Sequence, residues 1–290
     1  PRVTWSRGGA SQTFSAAHVL LATGAQERPV PFPGWTLPGV MPAGAAQILM
    51  KAAGMLPQNA VLAGSGPLLY LVAAQMIDAG CAPLALVETQ TTRGMFGAMR
   101  HLPRAMFGAA TLLKGLGLIA KIRRAGVPRY TAASDFRATA ERNGDIRFSF
   151  RVAAEARSLN CGLLLTHQGV VPGTHITRAA GIAHSWNKDQ GAYQPECDRW
   201  GATNQPGLHI AGDGAGIGGA EAAAAAGELT ALNILSQLGK CDADARDQRA
   251  ARPRAALFRA RAIRPSSTPR QTTRLFAAAK RFPPALSVRR

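Results

Sequence analysis

The residues of this chain best suited to chemistry lie in the run Gly207-Leu208-His209-Ile210-Ala211-Gly212-Asp213-Gly214-Ala215-Gly216-Ile217-Gly218-Gly219-Ala220. Glycine at this density lets backbone approach a ligand closely, since no Cβ intervenes and positive φ is tolerated. An alanine-rich stretch to about Leu235 follows. A helix there would turn its N-terminus to the ligand, offering free N–H groups and the positive dipole end to phosphate or another electron-rich oxygen. Asp213, inside the bend, is placed to accept hydrogen bonds from hydroxyls. A second candidate is Ala60-Val61-Leu62-Ala63-Gly64-Ser65-Gly66-Pro67, an apolar strand running into Gly-x-Gly. Pro67 stands where a first helical turn tolerates its missing N–H. Glu88 lies 24 residues past Gly64, at the end of the apolar run Ala82 to Val87. In a strand–helix–strand nucleotide unit that is where the acid for the ribose 2′-hydroxyl sits, favouring NAD over NADP. Arg93 nearby could receive a 2′-phosphate instead, and Leu69 fills the position where a third glycine usually lets helix and strand pack close.

Both motifs need a strand before them and a helix after, and the chain supplies these. Leu208 to Ala211 reads as a short buried strand, and Pro67 to Ala79 as a helix stopped by Gly80. Pro1 to about Ala25 reads as a hairpin around Gly8-Gly9 feeding the apolar run Val19 to Ala22. The prolines from Pro29 to Pro38 enforce an extended crossing, with Ala43 to Ala53 a short helix beyond. Apolar residues recur at helical spacing from Leu102 to Ala125. Val127 to Phe150 reads as two or three short strands around Asn143-Gly144-Asp145, and Leu163 to Leu165 as a buried strand. After Leu238 the periodicity dissolves apart from a short helix to about Ile263. His209, within an apolar strand, reads as a satisfied core residue and not as a base.

Composition narrows the function classes. With 290 residues the chain can bury a sizeable core in two modest domains. Its net charge of +18 invites a nucleic-acid reading. However, residues 241–290 hold twelve Arg and one Lys against three Asp, so most of the excess sits in a tail instead of on a patterned face. With 6% aromatics there is no base-stacking platform, and nucleic acid is not expected as a partner. Cys81, Cys161, Cys197 and Cys241 form no Cys-x-x-Cys, which argues against a redox dithiol or structural zinc and fits a cytoplasmic setting. The histidines show no metal spacing. The uncharged stretches Pro29 to Met50 and Ala52 to Ile77 are broken by proline and glycine, so no membrane span is expected.

The run Ile210-Ala211-Gly212-Asp213 resembles the second flavin motif of the two-dinucleotide-domain flavoproteins, the pyridine nucleotide-disulfide oxidoreductase-like enzymes. Leu20-Leu21-Ala22-Thr23-Gly24-Ala25 resembles the strand where such chains leave their FAD domain. Gly169-Val170-Val171-Pro172-Gly173-Thr174 resembles the segment where they return. The three occur in the family's order. Within the family, Pro31-Phe32-Pro33-Gly34-Trp35, Gly64-Ser65-Gly66-Pro67-Leu68-Leu69 and Gly212 to Gly219 are most similar to the FAD-binding large subunit of amine and amino-acid dehydrogenases, of the opine oxidase, L-proline dehydrogenase and hydrogen cyanide synthase types.

The resemblance implies an α/β fold. An incomplete Rossmann-like FAD domain (residues 1–28 and 158–240) would carry an inserted NAD(P)-binding Rossmann-like domain (29–157), followed by a poorly ordered basic tail (241–290). The family's first glycine-rich unit, for the ADP half of FAD, would precede Pro1, so the sequence reads as N-terminally truncated. The Arg/Pro/Ser/Thr bias of 264–290 resembles out-of-frame translation of a GC-rich gene. FAD is the implied cofactor and NAD(P) a second one. Asp213, with Gly212, would hold the ribityl chain. Gly219 and Ala220 would present helix N–H groups to the flavin, and Thr23 and Gly24 would flank the pyrophosphate side. Gly64, Gly66, Pro67 and Glu88 would form the nicotinamide-nucleotide site. The implied reaction is hydride transfer from a C–H next to nitrogen in an amine or amino acid to flavin, with electrons passed to a partner subunit. No side chain qualifies as an acid–base catalyst on sequence alone. Two alternatives stay open: an NAD(P)H-dependent flavin reductase of another acceptor, and an inactive truncated remnant.

Overall fold

The protein is described from a computed structural model covering residues 1–90 and 109–263. The strands are β1 (Arg2–Arg7), β2 (Ala10–Ser15), β3 (Val19–Leu21), β4 (Ala25–Glu27) and β5 (Val40–Pro42), before helix α1 (Ala43–Ala53). Then come β6 (Ala60–Ser65), α2 (Pro67–Asp78), β7 (Ala85–Glu88), α3 (Ala109–Arg124), β8 (Arg129–Tyr130), β9 (Ala133–Ala140), β10 (Ile146–Val152), β11 (Glu155–Cys161) and β12 (Leu163–Gln168). The rest is β13 (Val170–Pro172), α4 (His175–Ala179), β14 (His184–Asn187), β15 (Ala192–Pro195), β16 (Leu208–Ile210), α5 (Ala220–Gln237) and α6 (Ala243–Ile263). The chain divides into two units: Pro1–Gln26 with the segment from Val170 onward, and Glu27–Gly169.

The unit spanning Glu27–Gly169 is built on a five-stranded sheet in the order β5-β12-β6-β7-β8, every pairing parallel. Strands in such a sheet are covered on both faces and read as continuous apolar runs, and β6 and β7 are buried along nearly their whole length. Alternate side chains go to opposite sides. Ala60 and Leu62 pack with Leu69, Val72 and Met76 of α2 and Ile122 of α3. Val61 and Ala63 pack on Phe148 and Phe150 of a three-stranded antiparallel sheet, β11-β10-β9. Leu69, in the third-glycine position, is thus fully buried core. The turn at Asn143-Gly144-Asp145 closes the β9–β10 hairpin, Gly144 at φ 87°. Gly34 of the proline segment lies so close to β9 that a Cβ would fall 2.0 Å from the Ala138 carbonyl oxygen, which explains the Pro-Gly there.

The chain returns from this unit at Val170, inside the Gly169–Thr174 segment, while Leu163–Gln168 pairs in register with β6 and β5 and belongs to this sheet. At the start of the basic tail, Ala243–Ile263 forms a 21-residue helix, ending where a short one was expected to end. Residues 264–290, together with Arg93 and the first part of the Leu102–Ala125 segment, lie outside the described residues.

In the other unit, β1 and β2 form the expected hairpin, turned at Gly8 and Gly9 with φ of 58° and 81°. Strand β3 pairs in parallel with β16, Val19 to Leu21 opposite Leu208 to Ile210. This strand is less buried than expected, with Leu20 38% exposed, since among the described residues only β16 flanks it. Helix α6 packs on α5, with Ala250 and Leu257 against Trp200, Leu229 and Leu232.

Candidate functional site

In the unit formed by the first and last described segments, the β3–β16 ladder carries two motifs far apart in sequence to one end. Ala211 N–H donates to the Leu21 carbonyl at 3.1 Å, so Ala22-Thr23-Gly24 emerges beside Gly212-Asp213-Gly214. The approach is close: a Cβ on Gly214 would stand 2.7 Å from Thr23 Oγ1 and 3.3 Å from the Gly24 nitrogen. Only glycine fits there. The returning chain joins them, for Gly173 N–H donates to the Gly24 carbonyl at 2.9 Å and Thr23 Oγ1 to the Gly173 carbonyl at 2.9 Å. Beside this knot is a cavity of about 190 Å³ lined by Thr23, Ala25, Gln26, Gly173, His175 and Ile176.

Asp213 sits in the turn between β16 and α5 and ties the glycines that lead into the helix. Its Oδ1 accepts the N–H groups of Gly218 and Gly219, both at 2.8 Å. The Gly219 N–H, expected to face the flavin, is therefore donated to Asp213, and Ala220 opens the helix behind it. Gly212 holds φ at 75° and Gly219 at 85°, as such a tight turn requires. Gln190, in the loop between β14 and β15, clamps the glycine run: its Nε2 donates to the Ile217 carbonyl and its Oε1 accepts the Ile217 N–H, both at 3.0 Å. No sequence signal marks Gln190, because a single amide 27 residues upstream carries no motif.

His209 is buried in β16 at 2% exposure. It is only half satisfied: His18 Nδ1 lies 3.1 Å from its Nε2, while its Nδ1 has no partner. Burial, and then the neighbouring His18, lower its pKa and favour the neutral ring.

The second site lies at the carboxyl ends of β6, β7 and β12 in the Glu27–Gly169 unit, where ligands of open parallel sheets bind. Gly64 holds φ at 134°, and a Cβ there would fall 1.8 Å from the His167 carbonyl oxygen. Its smallness is demanded by the neighbouring strand. Gly66, with φ of 106°, is the N-cap of α2, no side chain caps that end, and Pro67 is its first residue. Glu88 stands at the tip of β7 as expected, but its carboxylate is occupied. Arg129 of β8 bonds Oε1 through Nε at 3.1 Å and through a terminal nitrogen at 2.9 Å, and the same nitrogen reaches Oε2 at 3.1 Å. Tyr70, whose hydroxyl is 3.4 Å from Arg129, has its pKa pushed up to about 12, first by burial and then by Glu88.

Sequence reading missed one further pair. His167 Nδ1 is bonded to Glu27 Oε1, and Glu27 Oε2 accepts the Gly44 N–H at 2.7 Å. Among the described residues no cluster of three His, Cys, Asp or Glu could hold a metal, and no helix is long and apolar enough to cross a membrane.

A parallel sheet with a glycine turn at its carboxyl edge, together with a second glycine turn that opens on an aspartate, defines a dinucleotide-binding protein of the flavin-dependent oxidoreductase type. The family model for pyridine nucleotide-disulphide oxidoreductases matches residues 2–228, and the chain belongs to that family, whose cofactors are FAD and NAD(P). It is 44% identical over 231 residues to an opine oxidase subunit of Agrobacterium tumefaciens (strain Ach5), covering 79% of this chain and 45% of that one. It is 37% identical over 230 residues to hydrogen cyanide synthase subunit HcnB of Pseudomonas aeruginosa, covering 76% and 48%. The chain thus spans about half the length of the curated relatives it matches. L-proline dehydrogenase from P. horikoshii shares the fold at TM-score 0.58 and 18% identity, covering 92% of this chain and 42% of that one.

Whether the residues present fit FAD can be tested on the turn itself. Gly173 and Gly214 let the Thr23-Gly24 strand end close against the turn, and the Asp213 bonds to Gly218 and Gly219 use only Oδ1. The other carboxylate oxygen suits a ribityl hydroxyl of FAD.

Proposed function

We propose that this chain is the FAD-holding part of one subunit in a multi-subunit dehydrogenase that oxidises an amine or amino acid of the opine or proline type and passes the electrons to a partner subunit. The observation that carries the reading is the knot of Thr23, Gly24, Gly173 and Gly214 beside Asp213. The relatives' names, which make them subunits of an opine oxidase and of a hydrogen cyanide synthase, point to the substrate class and to a partner. FAD, when bound, supplies the two-electron acceptor for cleavage of a C–H bond next to nitrogen. The chain's own part is to hold and orient it. Asp213 would accept hydrogen bonds from the ribityl hydroxyls and Gly212 would let the backbone come close; the Gly219 amide is taken by Asp213, which leaves the Ala220 amide at the start of α5 to face the flavin's electron-rich edge. Thr23 and Gly24 hold the strand end against the turn. In the other unit, Gly64, Gly66, Pro67 and Glu88 mark a site for a nicotinamide dinucleotide.

The test is the visible spectrum of the purified, FAD-reconstituted chain mixed anaerobically with its relatives' partner subunit. Bleaching by an opine or by proline supports the reading. Bleaching by NADH alone points to a flavin reductase, and retention of no flavin by the chain refutes it.

A further inference from the structure

The turn from β6 into α2 has a neighbour that the nucleotide reading leaves unused. His167 is 4% exposed, and the Cδ2–Nε2 edge of its ring underlies Gly66: a Cβ added there would come 3.4 Å from both atoms. Its Nδ1 is taken by Glu27, which is itself fixed by the Gly44 N–H at 2.7 Å. Its Nε2 has no hydrogen-bond partner among the described residues, yet it is not one of the sealed-off polar atoms. A histidine this buried, oriented by a carboxylate and directing its free nitrogen beneath an uncapped helix N-terminus, is placed to meet a ligand.

We propose that His167, held by Glu27, adds a contact of its own to the diphosphate grip that Gly-x-Gly turns of this kind make on a dinucleotide. The proposal rests on the reading of this unit as a nucleotide site. Phosphate is the chemistry that fits both features. A helix end without acidic residues in its first turn attracts anions. With Nδ1 held by the Glu27 carboxylate, an N–H on Nε2 would meet a phosphate oxygen in a low-dielectric setting. Among the described residues the acid placed for the ribose is already engaged, both oxygens of Glu88 being bonded to Arg129. We therefore expect NAD and NADP to bind alike and inorganic pyrophosphate to compete with them.

Calorimetric titration of the full chain with NADH, NADPH and inorganic pyrophosphate tests this. The expected result is binding of all three, with the two dinucleotides within a few-fold of each other. His167→Gln should weaken each by about tenfold or more, the loss of one charge-assisted bond. Glu27→Gln keeps an acceptor for Nδ1 but removes the charge. It should give a smaller loss and move the His167 ring resonances of the unliganded protein, as a positioning role requires. Should either variant fail to fold, the wild-type ring resonances of His167, assigned through their contacts with Gly66, serve instead and must shift on adding pyrophosphate. Dinucleotide binding that leaves those resonances still, or that survives His167→Gln unchanged, overturns the proposal alone. Binding of dinucleotide without competition from pyrophosphate overturns the diphosphate grip. If the wild-type chain binds none of the three, the nucleotide reading itself fails and the proposal falls with it.

Discussion

Asp213 and Glu88 are the two carboxylates that motif spacing singles out, and each is already bonded within its own unit. For Asp213 the partners are the Gly218 and Gly219 amides, in the turn just before α5. Asp213→Ala is expected to lower the stability of the ligand-free chain by about 1 kcal/mol or more, for two side-chain-to-backbone hydrogen bonds, and to reduce flavin retention further. Chemical denaturation with and without FAD separates the two losses; equal losses in both would contradict a role toward FAD. For Glu88 the partner is Arg129, and the consequence appears on Tyr70. With its pKa raised from 10.0 to about 12, Tyr70 contributes stability that is fully present below pH 10 and is lost as pH rises toward 12. The alkaline limb of the stability profile should flatten in Tyr70→Phe, as measured by thermal unfolding. His209 works at the other end of the scale. Its lowered pKa means that the unfolded chain binds a proton more readily, so stability is present above the ordinary 6.5 and falls as pH drops below it. His209→Phe should reduce the loss of Tm between pH 7 and 5. An unchanged slope would remove His209 from the explanation.

At the scale of elements, spacing was informative wherever an element is covered by its immediate neighbours. Strands β6 and β7 are buried apolar runs, α1 spans the expected Ala43–Ala53, and the Gly8-Gly9 and Asn143-Gly144 turns sit where their residues place them. Long-range pairings were not legible. Nothing in Leu163–Gln168 says that it inserts between β5 and β6, although it reads as a buried strand. The Glu88–Arg129 lock joins residues 41 apart, and the Glu27–His167 pair 140 apart, neither in any motif. Helix α6, expected only as a short helix ending near Ile263, is weakly marked for another reason: arginines do part of its packing. The guanidinium carbons of Arg246 and Arg254 lie 4.3 and 4.6 Å from the Trp200 ring centroid, so the stacking surface looks charged in the sequence. Trp200→Ala should cost about 3 kcal/mol or more and release α6, read as loss of hydrogen-exchange protection over Ala243–Ile263 with α2 unaffected. Gly64→Ala is expected to be worse, since its Cβ would collide with the β12 backbone. Soluble, cooperatively unfolding Gly64→Ala protein would disprove that packing argument.

For the molecule as a whole, the two units follow one design: a glycine turn at the carboxyl end of a parallel strand, with a helix N-terminus behind it. Family membership fixes the class of cofactor, and the turn of Gly212-Asp213-Gly214 beside Thr23 is the place we propose for flavin in this chain. The most direct test is titration of the purified chain with FAD, followed by flavin fluorescence anisotropy, for the wild type and Asp213→Ala. Saturable binding by the wild type, lost or strongly weakened in a variant with an unchanged circular dichroism spectrum, is the expected result. Failure of the folded wild-type chain to bind flavin, or binding indifferent to Asp213, would contradict it.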